Sequence, residues 1–419
     1  MKTQTNRKQS DQGSALVITL VLGTIMLLMA ASYLQLLGTQ KTIVVRSESW
    51  NASLIMAEAG IEEGMAQVNA YPSYTLTNDF SGNTWGFNGS GNLYGPMAHN
   101  LKGGNYSVSI SNTVPPVIYA SGFISVPVSG DSISRKVRVG TLKQVFSNIP
   151  LGAKGDIDFN GNGVAVNSWN SRDPNLSAQG IFDPNKTSTN GDVASLGGLV
   201  NIGNHTIQNS LYLGPTATYN GNDTVTGTVY TDANINYPDV TLPALPPNTS
   251  WQSAPTAHGV HTFTTSGYYQ VSDSANVVVQ PGVTVFLNVT TSVSYAPTSV
   301  QIDGGTTNSG TAYIYLNGPP TLVLQGNSAP DASNMPENLR YFGLPSLTSI
   351  TFGGNSSFVG CVYAPEADVT LKGGGNSNDF IGSLVANSIT MNGHYNIHFD
   401  ESLKTNGPGF YVVNSWQEL

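Results

Sequence analysis

The 419-residue chain is predicted to be α+β to mainly β: one long N-terminal helix, a small antiparallel sheet, then a parallel β-solenoid. Three observations carry this reading. An uncharged, mostly apolar run from Ala15 to Leu37 leads into a stretch without proline until Pro72. Between Tyr106 and Leu142 apolar and polar residues alternate with a period of two, the pattern of half-buried strands. Beyond Asn148, short strands ending in Gly or Asn recur with a period of about 20 residues, the mark of a stacked repeat.

The helix comes first. At about 1.5 Å per residue, a run of this length crosses a hydrocarbon core of roughly 30 Å. It stands behind a leader, Met1 to Gly13, that carries Lys2, Arg7, Lys8 and Asp11. Without an internal proline, one helix is expected over 14–72. Past the apolar run, Trp50, Leu54, Ile61, Met65 and Val68 recur at helical spacing and are expected to form the packed stripe. Three readings compete for the segment. A secretory signal would be cut near Ala30-Ala31-Ser32, but such signals have an apolar core of only about 7–15 residues. An uncleaved anchor needs no cut. The third reading cuts after Gly13 and leaves Ser14 first, so that the helix stays on the mature chain; the amphipathic continuation favours it.

Arg7-Lys8-Gln9-Ser10-Asp11-Gln12-Gly13-Ser14-Ala15-Leu16-Val17, followed by Ala57-Glu58-Ala59-Gly60-Ile61-Glu62-Glu63, resembles the N-terminal region of PilX-type minor pilins of type IV pili. The resemblance covers about residues 7–68. It implies a prepilin-type leader over 1–13, cut by a prepilin peptidase between Gly13 and Ser14. It also implies a pilin helix over 14–72 that packs with other pilins, and a family motif at Ala57, Glu58, Ala59 and Gly60. Two positions depart from the pattern. Major pilins of the family carry Glu five residues after the cut, where Ile18 stands here, and Phe first, where Ser14 stands. Loss of that Glu resembles the K-type pseudopilins at filament tips.

Composition bounds the rest. Only 10% of residues are charged, against about 25% in ordinary domains. Residues 1–46 hold five basic residues and one Asp, a net of +4, so the remainder carries −13 to give the total of −9. The positive end belongs at the membrane and the acidic part outside it. An acidic, charge-poor exterior lacks the basic patch that nucleic acid requires. The single Cys361 excludes an internal disulfide framework.

A small β headgroup is expected over 73–147. Tyr106, Val108 and Ile110 alternate with Ser107, Ser109 and Ser111. Val117 to Ala120 and Phe123 to Val126 form a second strand region broken at Ser121-Gly122, and Lys136 to Leu142 a third. Asn78 to Asn92, with Trp85 and Phe87, is expected to be a surface loop.

Residues 148–419 form the expected Gly/Asn-rich solenoid. Ile350-Thr351-Phe352 recurs as Val369-Thr370-Leu371 and again as Ile389-Thr390-Met391, at nearly equal steps. Phe358 to Ala364 echoes Phe380 to Ala386. Partial copies begin at Ile157, Val200 and Thr226. One such unit cannot bury its apolar face alone, but stacked copies can. A β-sandwich is the alternative. The tail Gly360 to Leu371, with Tyr363-Ala364-Pro365, and the close His398-Phe399-Asp400-Glu401-Ser402-Leu403 are similar to an uncharacterised domain that follows PilX-type N-termini in large bacterial surface proteins. That resemblance implies motif residues at Tyr363, Ala364, Pro365, His398, Asp400 and Glu401, and no activity.

Candidate chemistry is thin. Asp156, Asp158, Asp223, Asp368 and Asp379 are the carboxylates from which a glycosidic acid pair would be drawn; the plainer role is to shape turns. His394, His398 and Asp400 offer metal-ligand types, but the coil pattern around Gly393 makes them a polar cap on the last rung. His258 and His261 lie in a Pro/Ala/Thr loop. No cofactor motif is present and no catalytic or metal residue is assigned. Together with the long apolar run, the resemblance to PilX-type pilins implies a single-pass protein of the bacterial inner membrane, a minor pilin or pilus-tip component. Its solenoid would lie in the periplasm or outside the cell, serving adhesion to surfaces or glycans, or assembly. A tethered, polysaccharide-cleaving β-helix enzyme is the alternative.

Overall fold

The structure is a computed structural model. It describes residues 11–69, 85–89, 91–127, 130–160, 165–203, 205–221, 225–243, 245–246, 249–290, 300–304, 308–318, 321–325, 335–353, 357–372, 378–393, 395–405 and 407–419. The helix, α1, runs from Asp11 to Asn69; it begins inside the leader, and 70–72 lie outside the described residues. Every residue from Ala15 to Gln40 is exposed, and among the described residues this one helix is long and apolar enough to cross a membrane. Three hydroxyls of the apolar run bond within the helix: Thr19, Thr24 and Ser32 donate to the carbonyls of Leu16, Val21 and Leu28 at 2.8–2.9 Å. A hydroxyl so bonded does not face hydrocarbon unpaired.

The chain divides into two compact units. The first comprises α1 to Gln67, the segment 84–141 and Val413–Leu419. Its six-stranded sheet has the order Phe87–Asn88, Leu93–Leu101, Gly104–Ser111, Val117–Ser125, Ser132–Val145, Gly409–Glu418, with antiparallel pairing across the first five. Four features differ from the sequence reading. Trp85 is buried rather than on a surface loop. The two strands expected around Ser121-Gly122 are one, Val117–Ser125. The last strand of the chain joins this sheet, so the region expected as 148–419 does not stay together.

The fourth difference is the face of α1 that packs. The sequence favoured Trp50, Leu54, Ile61, Met65 and Val68; the helix buries Ser49, Ser53, Ala57, Gly60, Ile61, Gly64 and Val68, whereas Trp50 is 48% exposed. Small residues dominate because the helix backbone itself approaches the sheet. A Cβ on Gly122 would lie 2.1 Å from the Ser53 carbonyl oxygen and 2.5 Å from the Ala57 nitrogen. One on Gly64 would lie 2.6 Å from Ile118. Gly122 therefore continues its strand and opens room for the helix.

The second unit comprises 68–83 and Leu142–Val412. Among the described residues it holds a 19-stranded sheet and a three-stranded sheet, and the strand-to-strand pairings there are parallel. Ile350 pairs with Val369, Val369 with Ile389, Ile389 with Ile157, and Ile157 with Val200. All five are at most 1% exposed. Thr351, Thr370 and Thr390 form the adjacent, half-buried row. The ladders share one continuous cluster of buried side chains.

Order along the stack departs from order in the sequence. The longest ladder runs 252–253, 267–271, 284–289, 311–316, 339–343, 358–364, 380–386, and then returns to 151–153, 193–195, 211–213 and 229–230. Strands early in the sequence thus stack on the latest ones. The period also varies: the partners Val285 and Ala312 are separated by more chain than Val369 and Ile389, and Ile157 and Val200 by more again. Residues 231–251 connect the two ends of the ladder. Eleven strands at about 4.8 Å need roughly 48 Å, and 21 extended residues reach about 70 Å. On the way Ala233 bonds Leu213, Tyr237 lies against Gly152, and the Pro238 carbonyl accepts from Tyr363. Its described stretch 231–243 is a strap on the stack.

Candidate functional site

In α1, Ala57 is fully buried and Gly60 lies against the sheet, where a Cβ would sit 3.0 Å from Ala120. Glu58 is exposed and Ala59 half-buried. Gly13 and Ser14 lie within the helical segment. One turn on, Glu63 accepts a hydrogen bond from the Tyr106 hydroxyl at 2.8 Å and pairs with His99 Nε2 at 3.0 Å. Burial, then the Glu63 hydrogen bond and charge, push the Tyr106 hydroxyl up to about 12. This cluster ties the helix to two strands; the sequence shows Glu63 only as the last residue of the segment Ala57 to Glu63. Arg135 lies 5.0 Å from the Trp50 ring and forks onto Glu418, so Trp50 supports a cation instead of a core.

In the second unit the family-motif residues hold seams. Tyr363 and Ala364 are buried, and Pro365 with them. Besides the strap carbonyl, Tyr363 meets Phe146 at 4.4 Å between ring centres. Lys154 joins Asp239 of the strap to Glu366. The tail motif holds the joint where residues 165–169 stack on 397–400. His398 Nδ1 lies 2.6 Å from Asn167 and Nε2 3.2 Å from Asp379, with Phe182 stacked on the ring at 4.2 Å. Asp400 accepts from the Ser171 and Ser402 amides, and Glu401 from Ser168 and Asn190. The bonds to Ser168, Ser171 and Asn190 join the beginning of this unit's sequence to its end. The strand Tyr395–Asp400 is thus not the last rung: other strands cover it.

Four of the five candidate carboxylates lie among the described residues, and each accepts hydrogen bonds from neighbours. Asp156 accepts from the Leu199 amide, Asp158 from Asn160 and Asn201, and Asp368 from Asn387 and Ser388. Asp379 accepts from His398 and Asn396. Asp223 and His394 lie outside the described residues. His258 occupies a turn with φ of 52°. His261 is not in a loop but in the strand Val260–Phe263, and it is buried. Cys361 is buried, and burial pushes its thiol up.

A family model described as a domain of unknown function (DUF7305) matches residues 248–406, a span that includes Tyr363-Ala364-Pro365 and His398 to Glu401. A search of curated proteins finds no match. Among solved structures, the crystal structure of competence-associated pilin ComZ from Thermus thermophilus aligns with 88% of this chain and 96% of that one. Identity is 12% and the TM-score 0.30, a likeness too slight to carry an argument.

Proposed function

We propose that this protein is a structural subunit of a type IV pilus-like assembly, a minor or tip pilin anchored in the bacterial inner membrane by α1. The second unit, wound as a β-solenoid, is presented beyond the membrane for adhesion or assembly, and the chain is not an enzyme. One observation carries the reading. A single helix divides into an apolar half, exposed from Ala15 to Leu37, and a half whose small face, Ser53, Ala57, Gly60 and Gly64, packs on an antiparallel sheet. An exposed apolar half needs lipid or neighbouring helices to cover it. The basic leader ending at Gly13 supports removal by a prepilin peptidase, with other pilins as partners. The ladder Ile350, Val369, Ile389, Ile157 and Val200 supports the solenoid. Ile18 supports a rare or apical position, because no carboxylate stands there to neutralise a neighbour's terminal amine within lipid. The carboxylates engaged in cross-strand bonds favour the structural role over the glycosidase alternative.

Processing tests the reading. In a host expressing the prepilin peptidase, the mature N-terminus should be Ser14, and Gly13→Val should leave full-length precursor in the membrane, both read by mass spectrometry. A mature terminus at Tyr33 would restore the secretory signal and sink the pilin reading.

A further inference from the structure

At one end of the long ladder, the strands Gln252–Ser253, Val260–Phe263 and Gly267–Val271 frame a cleft of about 360 Å³. This lies at the small end of the range for small-molecule sites, about 300–1,000 Å³. Its walls are Trp251, Ser253, Gln270, Ser272 and Asp273, with buried His261 behind them. His261 is a strut. Nε2 lies 2.7 Å from Asp273 Oδ1, and Nδ1 lies 2.9 Å from the Pro255 carbonyl and 3.0 Å from Thr256 Oγ1. It fixes two walls against each other.

Asp273 is the charged group of the cleft. Oδ1 is occupied by His261 and by the Ala275 amide at 3.0 Å; among the described residues Oδ2 is left to accept from a ligand. Burial pushes this carboxyl up, but the Ala275 amide and His261 outweigh it and hold it below the ordinary carboxylate range. The side chain is half exposed and ionised at neutral pH. Gln270 donates to Thr290 at 3.3 Å, keeping its amide oxygen as a second acceptor. Ser253 and Ser272 present exposed hydroxyls.

Trp251 completes the set. Tyr268, Phe286 and Tyr313 form a column with ring centres 4.8 Å apart and planes within 13°, so each hides its faces against the next. Trp251 stands at 83° to Tyr268 and ends the column, which leaves an indole at the mouth of the cleft.

The lining excludes most ligand classes. Among the described residues no Lys or Arg lines the cleft, so Asp273 repels phosphates and carboxylates. One carboxylate with one oxygen taken is far short of the six to eight oxygens a calcium ion takes. The polar walls do not suit an apolar ligand. A carboxylate that accepts from adjacent hydroxyls, an amide, two serines and an aromatic flank suit a neutral, hydroxyl-rich ring. We propose that this cleft binds a neutral pyranose sugar, one or two rings of an uncharged glycan. The proposal rests on the adhesive reading above and names its site and ligand class.

The test uses the full chain in amphipol, because sugar-headed detergents would compete. An array of neutral and sialylated oligosaccharides identifies ligands, and the best neutral one is titrated by calorimetry. Wild type should bind neutral glycans in preference to sialylated ones. Ser253→Phe, which plugs the cleft from an exposed strand, and Asp273→Asn should each weaken binding at least tenfold. Thr370→Asn, on a distant row, should bind as wild type, and circular dichroism should show all three variants folded. No binding of any neutral glycan, a preference for sialylated ones, or unchanged affinity in both cleft variants would overturn the proposal. N-terminal processing is read on the same preparation. Normal processing without glycan binding therefore overturns the cleft alone, and a terminus at Tyr33 overturns the pilin reading whatever the array shows.

Discussion

Replacing Ile389 with Asp puts the parallel stack under its sharpest test. Ile389 is fully buried between Val369 and Ile157. Removing a buried Ile side chain costs about 2–5 kcal/mol, and an unpaired buried carboxylate adds several more before it draws in a proton or water. The total rivals the roughly 5–15 kcal/mol that holds a whole domain folded. Thr370→Asp is the matched control: its neighbours in register are Thr351 and Thr390, and the row is half-buried. Thr390 would be a poorer control, since it lies beside Asp158, where a second carboxylate adds like-charge repulsion. In a stack each strand leans on its neighbours, so damage should follow register rather than sequence. Hydrogen exchange read by mass spectrometry should show Ile389→Asp exposing peptides over 151–159 and 366–371, while 117–125 in the first unit keeps its protection. Equal loss in both variants, or loss confined to 380–400, would refute the stacking.

Three further outcomes are expected. Gly122→Ala drives a Cβ into the Ser53 and Ala57 backbone and should destabilise the first unit by about 1–3 kcal/mol; Gly86→Ala, with nothing within 4 Å, should stay within about 0.5 kcal/mol, both read from denaturant midpoints. The Asp379 carboxyl is held below its ordinary value by the His398 hydrogen bond, against burial. A depressed carboxyl stabilises the fold above its unfolded pKa, about 3.9, and that contribution is lost as pH falls through the folded value, so the stability gap between wild type and Asp379→Asn should close below about pH 4. Cys361, buried with its thiol pushed up, should resist a thiol reagent in the native protein and react fully in denaturant.

Local pattern was enough for the elements whose residues report their own surroundings. The apolar run of α1, the alternation at Tyr106, Val108 and Ile110, and the in-register triplet Ile350, Val369 and Ile389 each follow from side-chain period, because burial on one face imprints that period directly. Gly122 misled as a strand break, since a glycine can mark a turn or a close approach and the sequence does not say which. The packed face of α1 was placed only in part for the same reason: Ile61 and Val68 are buried as expected, but counting large apolar side chains favours Trp50 and overlooks the small residues that let two backbones meet.

What only the tertiary structure decided is everything that joins distant parts of the chain. No local signal states that 151–153, 157–159 and 166–169 stack on 384–386, 389–391 and 397–400, that 231–243 straps the ladder, or that Gly409–Glu418 completes the first sheet. Parallel pairing leaves the partner of an edge strand open, because any in-period apolar strand offers the same backbone groups. The choice lies in seam contacts such as His398 with Asn167, Glu401 with Ser168 and Tyr363 with Pro238, which exist only once both sides are in place.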